Sequence, residues 1–263
     1  MKKTLTDYCR EWLDTLVVAI SVAMAFRAYF YEPFKIPTGS MQETLWGYHT
    51  VAGEEKGAWD AFPLSVLKWA WTGSRTVDWK APSTGQVRCQ PRNDGFATVR
   101  VGVSDEAWSL PTDASRAIDG QFVREGDTFW KGSITTGDFI FVNRWKWNFV
   151  KPQNGEVMIF STTGIAPSPY GMYEGSDGKR YLLQQGTHYI KRMKARPGET
   201  YVLEHPVEGG AKSVTMKDGE YFACGDNFNN SYDSRYWGPV PAANLRGCAS
   251  VVFWPFNGWR VIR

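Results

Sequence analysis

The 263-residue chain predicts a mainly β fold: a β-rich domain on one N-terminal transmembrane helix, interrupted by a β-containing insertion. Three observations predict it. One long stretch, residues 15–26, is free of charge and lies near the N-terminus. Beyond residue 30 the apolar runs are short or alternating and are bounded by Gly, Pro, Asn and Asp, with no long helical period to compete. A hydrophobic content of 43% over this length suffices for a buried core in one large domain or two smaller ones.

Residues 1–11 read as a cytoplasmic tail and residues 12–34 as the membrane span, long enough to cross a bilayer if Asp14 and Arg27 reach toward the interfaces. Tyr29, Phe30 and Tyr31 then form an aromatic girdle. Lys2, Lys3 and Arg10 place the N-terminus in the cytoplasm by the positive-inside preference, which sends the remainder across. A cleavable signal peptide fits the same segment, because a basic start, a short apolar core and Ala23-Met24-Ala25 match that pattern too. The segment alone does not choose between them.

Residues 35–45 and 137–263 form the predicted β domain, with strands over 139–143, 156–160, 188–193, 221–224 and 249–254. Between its two parts, residues 46–136 read as a Trp-rich inserted subdomain containing Trp46, Trp59, Trp69, Trp71, Trp79, Trp108 and Trp130. Thirteen Trp in one chain suit either wet–greasy interfaces or a Trp-rich core. Within the insertion, residues 62–71 are apolar enough to lie on lipid or to be buried.

Acids and bases nearly balance, leaving a net charge of +3, so the chain lacks the field a nucleic-acid binder needs. The four cysteines form no CxxC pair and only three His accompany them, which excludes a zinc site, and no cofactor is called for. If the far side of the membrane is oxidising, Cys224 with Cys248 is the expected disulfide.

Ser40 lies between Pro37-Thr38-Gly39 and Met41, about ten residues after the apolar run. Such a run is an ordinary turn or a presented nucleophile. A serine nucleophile needs a base, and on the patterned run His188-Tyr189-Ile190-Lys191-Arg192 strand alternation lets only one of His188 and Lys191 face a given site. No GxSxG surrounds Ser40, which argues against an α/β-hydrolase. Lysine serves as a base when burial lowers its pKa. A third segment, Gly225 to Pro241, is dense in Asn, Asp, Ser and Gly and reads as a tightly hydrogen-bonded loop.

Together these residues resemble the bacterial type I signal peptidases, membrane-anchored Ser/Lys endopeptidases, a likeness that implies an antiparallel β-sheet catalytic domain. Four ordered blocks carry the likeness: the anchor running into Glu32-Pro33-Phe34 and Ile36-Pro37-Thr38-Gly39-Ser40-Met41; Gly137-Asp138-Phe139-Ile140-Phe141-Val142; Tyr189-Ile190-Lys191-Arg192 with Pro197-Gly198-Glu199; and the Gly225 to Pro241 loop. The resemblance implies Ser40 as nucleophile, Lys191 as general base, Thr38 as an oxyanion-hole hydroxyl and Ser231 as the serine that orients the lysine. It also implies that Asp233 and Arg235 form a structural ion pair, and that Ile36 and Ile190 border small pockets for Ala-x-Ala substrates. Preprotein signal peptides and the lipid bilayer are the implied partners, with a monomer in the plasma (inner) membrane whose catalytic domain faces outward. Three positions depart from the family pattern: Glu43 stands where proline is usual, Phe228 where arginine is common, and Lys194-Ala195-Arg196 replaces an apolar stretch. The competing functions are a self-cleaving Ser/Lys regulator and a silent membrane-tethered binding protein that uses the insertion.

Overall fold

The computed structural model describes residues 4–92, 95–165, 173–174, 180–181, 183–206 and 211–263. Lys2 and Lys3, which enter the orientation expectation, lie outside the described residues.

Helix α1 runs Leu5–Tyr29 and starts at a reciprocal cap, in which Thr4 N–H donates to Asp7 Oδ2 and the Thr4 hydroxyl accepts from Asp7 N–H. Among the described residues it is the one helix long and apolar enough to cross a membrane, and none of its apolar window is buried. The helix and the expected membrane span of residues 12–34 differ at both ends. The helix begins seven residues earlier, at Leu5, because the Thr4–Asp7 cap decides its start. It stops before Tyr31–Lys35, because that segment carries Pro33 and pairs antiparallel with Phe139–Asn143, so strand pairing overrides its apolar character.

That pair is one edge of an eight-stranded antiparallel sheet. In order across the sheet, Tyr31–Lys35 is followed by Phe139–Asn143, Leu245–Trp254, Val157–Ser161, His188–Ala195, Glu220–Cys224 and Val240–Pro241, with Arg260–Val261 also paired to Leu245–Trp254. Register shifts interrupt Leu245–Trp254 against Val157–Ser161 and against Phe139–Asn143, and such bulges bend a strand. The sheet curls far enough that Ile36 and Phe34, from one edge, join Ile190, from the fifth strand, in a single core cluster. Phe34 and His188 meet edge to face at 5.6 Å.

The sheet order also corrects the expected disulfide. Cys224 and Cys248 sit on strands three steps apart, about 14 Å at normal strand spacing, whereas a disulfide needs Cα atoms within about 7 Å. All four cysteines are free thiols, and burial pushes the Cys248 thiol up to about 11.

Residues between Trp46 and Asp138 build a second hydrophobic core of their own, around Val87, Val99, Leu110, Phe129 and Trp130. It is covered by a three-stranded sheet (His49–Ala52, Thr128–Thr135, Ser74–Lys80) and a four-stranded one (Trp108–Pro111, Phe96–Val101, Gly85–Pro91, Phe122–Val123). Two helices accompany them, α2 (Leu64–Thr72) and α3 (Thr112–Ile118). The two ends of this excursion are stitched together: Trp46 N–H donates to Asp138 Oδ2 at 2.9 Å, and Asp138 N–H donates to the Trp46 carbonyl at 2.8 Å. The tryptophans divide between the two roles open to them, with Trp130 buried and Trp59, Trp69 and Trp71 exposed.

Candidate active site

Ser40 occupies a single 3-10 turn, Gly39–Met41, five residues past the edge strand. Met41 and Leu45 are fully buried in the cluster that also holds Ile36, so the turn is anchored by apolar side chains on both sides of the serine. Asp138 fixes the approach: its carbonyl accepts from Ile36 N–H at 2.9 Å, and its buried carboxylate accepts from Arg260 Nη2 at 2.6 Å as well as from Trp46. From the opposite side Asn227 holds the turn, donating its backbone N–H to the Ser40 carbonyl at 3.1 Å and its side-chain Nδ2 to the Gly39 carbonyl at 3.2 Å. Gly225 allows this close approach, since a Cβ there would collide with the Ser40 carbonyl oxygen and the Ser231 hydroxyl.

Lys191 arrives from 151 residues away. On His188–Ala195 the side chains of Lys191, Met193 and Ala195 point inward, and Lys191 lies opposite Met158 in the neighbouring strand. Its Nζ is 2.7 Å from Ser40 Oγ, with Ser40 7% and Lys191 4% exposed. Burial lowers the lysine pKa to about 8, an effect partly offset by the attraction of Asp233. An amine whose neutral form is far more accessible near neutral pH than that of a free lysine, at hydrogen-bond distance from a buried hydroxyl, is within reach of its proton.

The remaining predicted residues fall around this pair in different ways. Thr38 is exposed, and its hydroxyl donates to Ser40 Oγ over 3.5 Å, a long contact. The Ser231 hydroxyl donates to Asp233 Oδ2 at 2.7 Å, and among the described residues it makes no hydrogen bond to Lys191. Asp233 is fully buried and also accepts from Gly225 N–H at 2.9 Å. Arg235 grips it through Nε at 2.8 Å and Nη2 at 3.0 Å, while Nη2 also donates to the Phe228 carbonyl at 2.9 Å. Ile36 is buried and Ile190 partly so, in one cluster. His188 is exposed against Phe34, three residues along the strand from Lys191.

Three contributors escaped the sequence analysis: Asp138 and Asn227 in these positioning roles, and an Arg192–Asp226–Thr44 clamp. Arg192 holds Asp226 bidentately at 2.8 and 2.7 Å and donates to Thr44 Oγ1 at 3.0 Å, tying the polar loop to the segment after Ser40. Asp226 and Asn227 were visible as members of a polar loop, but no local pattern says which backbone they serve.

A family model described as signal peptidase, peptidase S26, matches residues 202–254. The chain is similar to the probable signal peptidase I-1 of Synechocystis sp., with 30% identity over 145 residues that cover 48% of this chain and 67% of that protein. It is similar to the signal peptidase I of Leptolyngbya laminosa, with 28% identity over 144 residues covering 48% of this chain and 64% of the relative. A longer match, 24% identical over 253 residues, covers 88% of this chain and 72% of the signal peptidase I of Buchnera aphidicola. The chain thus spans about two thirds of the length of the two cyanobacterial relatives.

Proposed function

Because the chain belongs to the signal peptidase family, peptidase S26, we propose that it removes N-terminal signal peptides from exported preproteins by acyl transfer through Ser40 and Lys191. One observation carries the chemistry: a buried lysine amine with its pKa lowered to about 8 lies 2.7 Å from a buried serine hydroxyl.

Neutral Lys191 takes the Ser40 proton as Oγ attacks the scissile carbonyl. Thr38 and the Ser40 backbone N–H face the oxyanion that develops. The protonated lysine then returns its proton to the departing amine, which leaves as the mature protein's N-terminus while the signal peptide stays esterified to Ser40. The same amine next takes a proton from water, whose oxygen attacks the ester, and Ser40 recovers its proton as the signal peptide is released. Asp233 supports the cycle by stabilising the ammonium form electrostatically, and Ser231 and Arg235 hold Asp233 in place. Ile36 and Ile190 border pockets for small side chains of the Ala-x-Ala type. The N-terminus of α1 is cytoplasmic, so that the sheet domain meets precursors as they emerge on the outer side of the membrane.

In a purified-protein assay on a signal-bearing precursor in detergent, Ser40→Ala and Lys191→Ala should each lower cleavage by about 10³-fold or more, in line with loss of a nucleophile or its base. Retention of near-wild-type cleavage by either variant would refute the dyad.

A further inference from the structure

Helix α2 is built inside out. None of its nine residues is buried, and its apolar side chains, with those just before it, face outward: Phe62 is 86%, Leu67 59% and Trp71 61% exposed. Its one charged residue, Lys68, turns the other way, and Nζ donates to Asp60 Oδ1 at 2.7 Å and to the buried Thr76 hydroxyl at 2.8 Å. A helix meant for water would show the opposite arrangement, with the cation outside and Leu67 and Trp71 against the core. The helix is also held firmly. Trp69 packs on Trp254 at 5.1 Å, Trp254 Nε1 donates to the Ala70 carbonyl at 2.8 Å, and Gly73 closes the C-terminus in the left-handed region against Trp254 and Pro255.

What covers this face is indicated by a file of rings that starts on the anchor. Phe26 of α1 lies 6.0 Å from Tyr31, Tyr31 6.4 Å from Phe141, and Phe141 4.2 Å from Phe253. Phe253 lies 6.2 Å from Phe139, Phe139 5.0 Å from Trp254, and Trp254 packs at a tilt on Trp69 of α2. On Phe139–Asn143 the core takes Ile140 and Val142, so Phe139 and Phe141 occupy the opposite, outer face of the sheet. The outer face of the sheet is therefore aromatic from the membrane helix to α2.

We propose that α2 is a second membrane contact, lying in the lipid headgroup region with Phe62, Leu67 and Trp71 toward the acyl chains. Nine residues rise only about 14 Å, too short to span a bilayer and suited to lying along its surface. Trp and Phe beside one apolar stripe are the side chains that settle at such an interface. The contact rests on α1 being membrane-inserted, and it assigns to the insertion the task of laying the outer face of the sheet along the bilayer.

Fluorescence quenching in the full chain tests this. Cys9→Ser and Cys89→Ser remove the two thiols that are not buried. A single environment-sensitive probe is then attached at Leu67→Cys, at Val18→Cys in the anchor, or at Val103→Cys, an exposed position elsewhere in the insertion. The proteins are reconstituted in phosphatidylcholine–phosphatidylglycerol vesicles. Nitroxides on the upper acyl chain should quench the probes at 18 and 67 but not at 103, and aqueous iodide should quench position 67 about fivefold less than 103. Lipid quenching at 18 with iodide quenching at 67 equal to that at 103 would overturn the contact while leaving the anchor intact. Absence of lipid quenching at 18 would remove the anchor reading and the contact with it. Probe-to-probe self-quenching at 67 that rises with protein-to-lipid ratio, without lipid quenching, would overturn it in favour of a second copy of the chain.

Discussion

At the scale of single residues, Lys191 sets the terms. Its ammonium form is penalised by burial, so its pKa in the folded chain lies near 8, below the 10.5 of a free lysine side chain. Between those values the unfolded chain binds more protons than the folded one, and stability rises with pH through that window. Below about pH 8 the penalty is present in full, about 3 kcal/mol for a shift of this size. Lys191→Met should therefore raise stability at pH 7 by about 1–3 kcal/mol, and the gain should fade as the pH approaches 10.5. Denaturant unfolding of both proteins across pH 6 to 10, a range set by the roughly two-unit window around the lysine shift, reads this directly. The activity of the wild type should climb about tenfold per pH unit on the acid side of pH 8 and level off above it, as kcat/KM profiles would show. The role of Lys191 could not be derived from local pattern, because strand alternation leaves His188 and Lys191 as alternatives. Only the likeness to a known family joined it to Ser40 across 151 residues of sequence.

At the scale of elements, Asp138 shows what the local sequence conceals. It follows a glycine, Gly137, that takes a left-handed φ of 78° where a Cβ would strike the Ile36 carbonyl. From there its carboxylate serves the Trp46 N–H and Arg260. Asp138→Ala should cost about 1–3 kcal/mol, because it leaves the Trp46 N–H and a partly buried guanidinium without their acceptor. A lowered urea midpoint with an unchanged m-value is the expected signature. The strand Phe139–Asn143 was legible residue for residue, since its alternation matches a half-buried strand. The end of α1 was not, because hydropathy cannot see that residues 31–35 have a pairing partner more than a hundred positions away. Residues 62–71 were ambiguous for a different reason: an apolar nine-residue helix looks the same whether protein or lipid covers it.

For the whole molecule, strand order carries the information that sequence lacks. The Cys224–Cys248 pairing looked reasonable along the chain and fails only because two strands intervene between theirs in the sheet. The same order brings residues 36, 40 and 190 together, and with them the candidate site. Under the proposed function an α1 inserted in the membrane would confine enzyme and precursor to one surface, where effective concentrations reach the millimolar range. A chain beginning at Tyr31 should cut a short soluble peptide with kcat/KM within about threefold of the full chain. It should cut a vesicle-held precursor more slowly by about 10²-fold, a loss that parallel assays on the two substrates would expose.

The Trp46–Asp138 stitch has a consequence for how such a protein can change over time. A segment that leaves and re-enters a fold through one hydrogen-bonded pair can grow, shrink or be exchanged with little loss of folding free energy, since loop closure scales only with the logarithm of length. The ninety-odd residues it encloses have their own core, and besides the stitch they also meet the sheet domain at Trp254 and Pro255 through Trp69, Ala70 and Gly73, contacts an exchanged module would forgo. The junction is in effect a socket, and the sheet beside it could host a different module there, or an engineered reporter, while the chemistry stays where it is.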